Sequence, residues 1–292
     1  MNQIFRSVKN YFSLVRFSHT VFAMPFALIG FTLAVSEENQ DFSLRLLFLI
    51  ILCMIFARNA AMGFNRISDR RYDKLNQRTK DREIPSGLVS TKAASIFVIV
   101  NSVLFIITTG FINKLTLLLS PVALFIILGY SLSKRYTSLS HFILGLGLSL
   151  APVGAYISVT GVFALLPVIY SLIVMTWVSG FDIIYSLQDD DFDRSNQLYS
   201  IPAVAGRRRA IFISLAVHIL TIILVITAGY LGEEGFVYWI GAVIFSVLLI
   251  YQHLIVKHGD LSRVTIAFGT TNGVASILFA LFVILNLILK HQ

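Results

Sequence analysis

Little in this chain suits a protein that folds in water or is secreted. Among its 292 residues there is a single cysteine, Cys53, set inside an apolar run, so no disulfide framework is possible. No polar segment is long enough to form a separate soluble domain. The N-terminal stretch carries Arg6, Lys9 and Arg16 but lacks a short apolar core followed by a small-residue cleavage site, and it reads as a retained first span. Acids are scarce too, 15 against 23 lysines and arginines. In a soluble chain the resulting net charge of +8 would suggest a polyanion partner; here the cations lie in short loops between apolar runs. The excess is therefore a signal of membrane topology and not of nucleic-acid binding.

What is abundant is apolar. Hydrophobic residues make up 57% of the chain, with 24 phenylalanines, against roughly 45–50% apolar residues in soluble proteins. The mean hydropathy is +0.81. Apolar runs recur at the length a bilayer core of about 30 Å requires, and nine spans are expected, at about 12–35, 43–66, 92–112, 115–133, 139–160, 163–187, 209–231, 236–256 and 263–288. Unbroken runs of this length exclude barrel strands, and lipid offers no partner for open backbone. The expectation is an all-α polytopic helical bundle forming one integral membrane domain over residues 1–292. Loops holding Arg70, Arg71, Lys74, Arg78, Lys80 and Arg82, then Lys134 and Arg135, then Arg194 and Arg207–Arg209 all fall on one face, which places that face and the N-terminus in the cytoplasm.

The few acids are not scattered. Nine of the 15 lie in two stretches, Asp69 to Glu83 and Asp182 to Asp193, each following an even-numbered span and so on the same membrane face. In the first, Asn65, Asp69 and Asp73 recur every fourth residue; in the second, Tyr185, Asp189 and Asp193 repeat the step. On a helix this spacing puts the three side chains on one face. Carboxylates gathered near one cavity raise each other's pKa unless a cation is present. Oxygen ligands from two segments suit Mg²⁺, which keeps several waters and is commonly completed by substrate phosphates. Arg66, Arg70, Arg78, Arg82, Lys134 and Arg135 on the same face match a diphosphate. Abundant Phe and Tyr suit a long hydrocarbon chain and an allylic cation, so the expected ligand is an isoprenyl diphosphate. Asp182, inside an apolar span, is functional by default; Asp190 and Asp191 read as solvated neighbours. Either acid pair alone would more often be a solvated face. Buried acids also mark ion pathways in cation-coupled transporters, but those sit near the bilayer midplane, whereas these cluster at one face. Gly145, Pro152 and Gly154 are expected to allow close helix packing or a kink.

On these residues the chain resembles the UbiA superfamily of intramembrane aromatic prenyltransferases. The likeness rests on Asn65-x-x-x-Asp69-x-x-x-Asp73, Tyr185-x-x-x-Asp189-x-x-x-Asp193, the segment Arg82-Glu-Ile-Pro-Ser-Gly87 and the nine spans. The runs from Ala57 to Arg66, Ser133 to Thr137 and Ala151 to Ala155 are similar to the 4-hydroxybenzoate polyprenyltransferase branch. Glu83 stands where that branch often has proline, a departure that does not touch the metal motifs. The resemblance implies that Asp69, Asp73, Asp189 and Asp193 hold Mg²⁺ on a polyprenyl diphosphate, and that Asn65 and Tyr185 orient ligands. Arg82 and Lys134, with Arg66 nearby, would bind phosphate, and Asp182 would assist ring or proton chemistry. The carboxylate of an aromatic acid acceptor would need a cation, with Arg16, Arg58 and Arg135 as candidates. It also implies quinone biosynthesis in a bacterial inner membrane, with 4-hydroxybenzoate or a naphthoate-type menaquinone precursor as acceptor.

Overall fold

In the computed structural model, residues 22–37, 41–256 and 261–290 are described. They form helices α1 (Met24–Glu37), α2 (Leu44–Leu75), α3 (Thr91–Gly110), α4 (Lys114–Ser133), α5 (Ser140–Thr160) and α6 (Leu165–Ser186). Two short helices follow, α7 (Asp190–Ser195) and α8 (Ile201–Ala205), then α9 (Arg207–Leu231), α10 (Phe236–Ile255) and a π-helical turn (Ile266–Thr271) that runs into α11 (Asn272–Lys290). No strand occurs among the described residues. Polar residues set the helix starts: Ser43 accepts from the Leu46 amide, Ser90 from that of Ala93, and Asn113 forms a reciprocal capping box with Thr116.

Among the described residues eight helices are long and apolar enough to cross a membrane, and α1 is a shorter apolar helix. Part of the first expected span, residues 12–21, lies outside the described residues. The second, expected at about 43–66, is only part of a 32-residue helix. At 1.5 Å per residue α2 is about 48 Å long and overshoots a hydrocarbon core of about 30 Å, so it carries the first acid stretch beyond the core without a break.

The most deeply buried span is α6, which packs chiefly against α5 and α9. Around its Trp177, fully buried, the rings of Phe22, Phe26, Phe181 and Phe245 sit with centroids 5.1–6.4 Å away, in tilted and edge-on arrangements favoured by aromatic quadrupoles. The indole N–H donates to Asn272 Oδ1 at 2.8 Å, and the Asn272 amide in turn donates to Ala267 O at 2.8 Å and Gln252 Oε1 at 3.2 Å. Asn272 thus ties the π turn to Gln252 of α10 and to Trp177 of α6. Outward-facing Ile99, Phe125, Phe212 and Leu254 are strongly exposed, as a lipid-facing surface requires.

A close approach of α5 and α6 depends on Gly145. A Cβ there would lie 2.4 Å from the Met175 carbonyl oxygen and 2.5 Å from Ser179 Oγ, whereas at Gly154 it would meet nothing within 4 Å. Packing is thus the role of Gly145, and not of Gly154. Gly145→Ala is expected to lower stability by about 1–3 kcal/mol through overpacking, read as a lower thermal midpoint in detergent. Gly154→Ala should leave the midpoint equal or raised, since alanine is the better helix former.

Candidate active site

The face expected for the first motif forms as expected, because α2 is continuous through it. Asn65 Nδ2 donates to Asp69 Oδ2 at 3.0 Å. Asp73, 5% exposed, accepts from Arg82 Nη1 at 2.7 Å through Oδ1, while its Oδ2 is buried with no donor among the described residues. Arg82 is delivered by the loop after α2, which folds back on itself. Its Val89 amide donates to Glu83 O at 2.9 Å, Gly87 takes a φ of +80°, and Ile84 and Val89 pack with Ala94 beside Ile67. A positive φ there favours glycine, which accounts for the last residue of the Arg82–Gly87 segment.

Glu83 is buried and lies 3.7 Å from Arg66 Nε. The departure from proline therefore places an anion beside Arg66, which also lines the cavity described below.

The second motif is not one helical face. α6 ends at Ser186, Asp189 stands in the turn that follows, and Asp193 belongs to α7. Reverse turns at Leu187, Gln188 and Asp189 close this break. The two stretches nevertheless meet directly. Arg78, from the first loop, grips both oxygens of Asp189, donating to Oδ1 from Nε at 3.0 Å and to Oδ2 from Nη2. Its Nη1 donates to the Tyr185 hydroxyl at 3.0 Å, and Asn76 Nδ2 adds a bond to Asp189 Oδ1 at 3.0 Å. Lys134 Nζ lies 2.7 Å from Asp193 Oδ1. Asp190 is not a solvated neighbour: it is 3% exposed and held by the Arg207 fork through two bonds of 2.7 Å. Asp191 has an exposed side chain, as expected.

Burial works against charge on Asp189, but the Arg78 fork and the Asn76 amide outweigh it and hold the carboxyl below the usual carboxylate range. At Asp193 burial prevails over Lys134, and the carboxyl lies above that range. Arg135 donates through Nη2 to Ser68 O at 2.7 Å and Ser68 Oγ at 2.6 Å, stands 3.7 Å from Asp69 and faces the Tyr72 ring at 5.6 Å. Arg16 lies outside the described residues.

Asp69, Asp73, Asp189 and Asp193 line the mouth of one cavity of about 630 Å³, walled further in by Met54, Ala57, Phe105, Ile126 and Leu148. Asp182 lines it from the last turn of α6, about one turn from Tyr185 and hence near the mouth. Its Oδ2 is 2.7 Å from Nδ1 of His141, a buried residue at the start of α5. The Ile201 amide donates to His141 Nε2 at 3.3 Å. Nε2 therefore accepts, and Nδ1–H donates to Asp182 Oδ2. Arg58 lines the cavity too, and its Nε is sealed from solvent with no hydrogen-bond partner among the described residues.

The donor set fits a hard, oxygen-seeking cation such as Mg²⁺: four carboxylates from two segments, with a buried orphan oxygen on Asp73. Among the described residues no three His, Cys, Asp or Glu side chains converge on one point. Mg²⁺ does not require that, being commonly held by one or two carboxylates with water and substrate phosphates.

Residues 23–287 match the UbiA prenyltransferase family. The 4-hydroxybenzoate octaprenyltransferase of Aliivibrio fischeri strain MJ11 is 29% identical over 80% of this chain and 81% of its own length. That of Francisella tularensis subsp. novicida is 26% identical over 96% of this chain and 98% of its own. Among solved structures, an apo UbiA homolog from Aeropyrum pernix K1 aligns with a TM-score of 0.79 at 29% identity, over 94% of this chain and 98% of that one. A UbiA homolog from Archaeoglobus fulgidus bound to DMAPP and Mg²⁺ shares the fold, with a TM-score of 0.74 at 21% identity over 95% and 99%. With the same fold and a match over nearly its whole length, this chain belongs to the UbiA prenyltransferase family.

Proposed function

We propose that the chain transfers an isoprenyl group from a polyprenyl diphosphate to a ring carbon of an aromatic acid of the 4-hydroxybenzoate type, with Mg²⁺, in a bacterial inner membrane. One observation carries this reading: acids from two distant stretches meet at the mouth of an apolar cavity, each beside a cation of the chain. The relatives that carry the octaprenyltransferase name support the aromatic acid, and the Archaeoglobus complex with DMAPP and Mg²⁺ supports the metal.

Mg²⁺, when bound, would supply positive charge to offset that building on the departing diphosphate. Asp69, Asp73, Asp189 and Asp193 would hold it, Asn65 and Tyr185 orienting ligands beside them. Arg78, Arg82 and Lys134 turn from their carboxylates to the phosphate oxygens, with charge-assisted bonds on both sides of the exchange. The allylic C–O bond breaks with its electron pair going to the diphosphate, and the ring carbon beside the hydroxyl forms the new C–C bond. The proton at that carbon is then lost to Asp182. His141 acts on Asp182 as a positioning residue, holding one oxygen by its Nδ1–H so that the other faces the cavity. The apolar wall keeps water from the cation.

Asp69→Ala and Asp189→Ala should each reduce turnover by at least about 100-fold while membrane insertion is unchanged. The assay is product mass after incubation in lipid with Mg²⁺, isoprenyl diphosphates and a panel of benzoates and naphthoates; retained turnover removes that residue from the metal site. Asp182→Asn should cost about 10²–10⁴-fold in kcat. It should also bring out a primary isotope effect with an acceptor deuterated at the alkylated carbon, because proton loss becomes the slow step. A slowed variant with the isotope effect of the unaltered protein would mean that Asp182 only supports the fold.

A further inference from the structure

The last three spans, α9 to α11 with the π turn before α11, reach the cavity at one point. Among the described residues, Phe268 is the single side chain beyond Leu198 that lines it. Phe268 belongs to the π-helical turn Ile266–Thr271, and turns of this kind are rare and frequent at functional sites. The turn is fixed from two sides. Asn272 ties it to Trp177 and Gln252, and its fully buried Ala267 packs with Ile183, Ile184 and Leu187 at the end of α6. Consecutive residues therefore serve different neighbours, Ala267 the helix end and Phe268 the cavity.

What Phe268 meets there is the second acid stretch. Its ring stacks on that of Tyr185, with centroids 4.0 Å apart and planes 30° from parallel, while Phe22 and Phe181 meet it at steeper angles. Tyr185 stands in the last turn of α6, one residue before the helix stops. Its hydroxyl accepts from Arg78 Nη1 at 3.0 Å, the guanidinium lies 5.4 Å from its ring centroid, and Arg78 grips both oxygens of Asp189. Phe268, Tyr185, Arg78 and Asp189 thus form a series from the C-terminal spans to the junction of the two acid stretches. The ring torsion of a tyrosine is broad. A flat partner stacked on the ring narrows it, and the hydroxyl follows the ring. That hydroxyl is also the neutral partner Arg78 can keep when its fork leaves Asp189 for a phosphate.

Resting on the prenyl-transfer reading above, we propose that Phe268 is a positioning residue for the diphosphate: it backs the Tyr185 ring, whose hydroxyl holds Arg78 at the mouth while the fork changes partners. The C-terminal spans, which bring no polar side chain to the cavity among the described residues, act on the donor through this one ring.

The test measures KM for an isoprenyl diphosphate and for the aromatic acid separately, with the full-length protein in lipid and Mg²⁺. Phe268→Leu keeps apolar volume without the flat ring and should raise the diphosphate KM about tenfold, with KM for the acid unchanged. Phe268→Tyr keeps the ring and should stay within about twofold of the unaltered protein. Tyr185→Phe, which loses only the hydroxyl, should also raise the diphosphate KM about tenfold. Adding Phe268→Leu to it should then cost little more, because both changes act through one bond. Losses that multiply in the double variant, as a packing role alone would give, overturn the proposal. So does an unchanged diphosphate KM in Phe268→Leu, or in Tyr185→Phe, which leaves the π turn and its packing as they are. If the unaltered protein alkylates no aromatic acid, the prenyl-transfer reading itself fails, and this inference with it.

Discussion

Carboxylates brought together at the edge of a membrane must be neutralised, and the arrangement of this site follows from how the chain does it. Arg78 crosses from the loop after α2 to Asp189, which lies more than a hundred residues away in sequence. In doing so it joins the two acid stretches into one site. Asn76 and the Tyr185 hydroxyl complete that junction, Lys134 repeats it at Asp193, and Arg82 closes the first stretch onto its own loop. Charge-assisted bonds of this kind are strong where water is scarce. The loops that would otherwise be free at the mouth of the cavity are thereby given one geometry.

Beneath the mouth the bundle is held by a different device. Trp177, Asn272 and Gln252 form a buried polar chain inside an aromatic core, and glycine at position 145 lets α5 and α6 approach closely enough to bring His141 beside Asp182. Lipid contributes no hydrophobic drive between helices, so close packing and interhelical hydrogen bonds carry the association. The functional pair His141–Asp182 is in this sense a product of the packing: neither residue would find the other if α5 stood an ångström further off.

The sequence was most legible where structure depends on local spacing and least where it depends on long-range contact. Apolar runs of span length translate directly into helices, and the i, i+4 step of Asn65, Asp69 and Asp73 becomes a helical face because nothing interrupts α2. The same step at Tyr185, Asp189 and Asp193 does not, since α6 stops at Ser186; equal spacing does not reveal where a helix ends. Asp190 was misread because its partner, Arg207, is 17 residues away. The pairing of Arg66 with Glu83 was hidden by the fold of the loop. His141 and Asn76 carried no signal in isolation, being ordinary residues until Asp182 and Asp189 are placed beside them. Arg58 was visible as a cation in an apolar run, but its place in the wall of the cavity shows only once the helices are assembled.

The self-pairing of the site has a consequence for how the protein is made. A centre that depended on a bound ion to offset its acids would leave the nascent chain with several uncompensated charges as its helices assembled in the bilayer. Here each of the four carboxylates of the two motifs finds a cation from the same chain, so their assembly need not wait for metal or substrate. The bundle can be completed first and loaded afterwards.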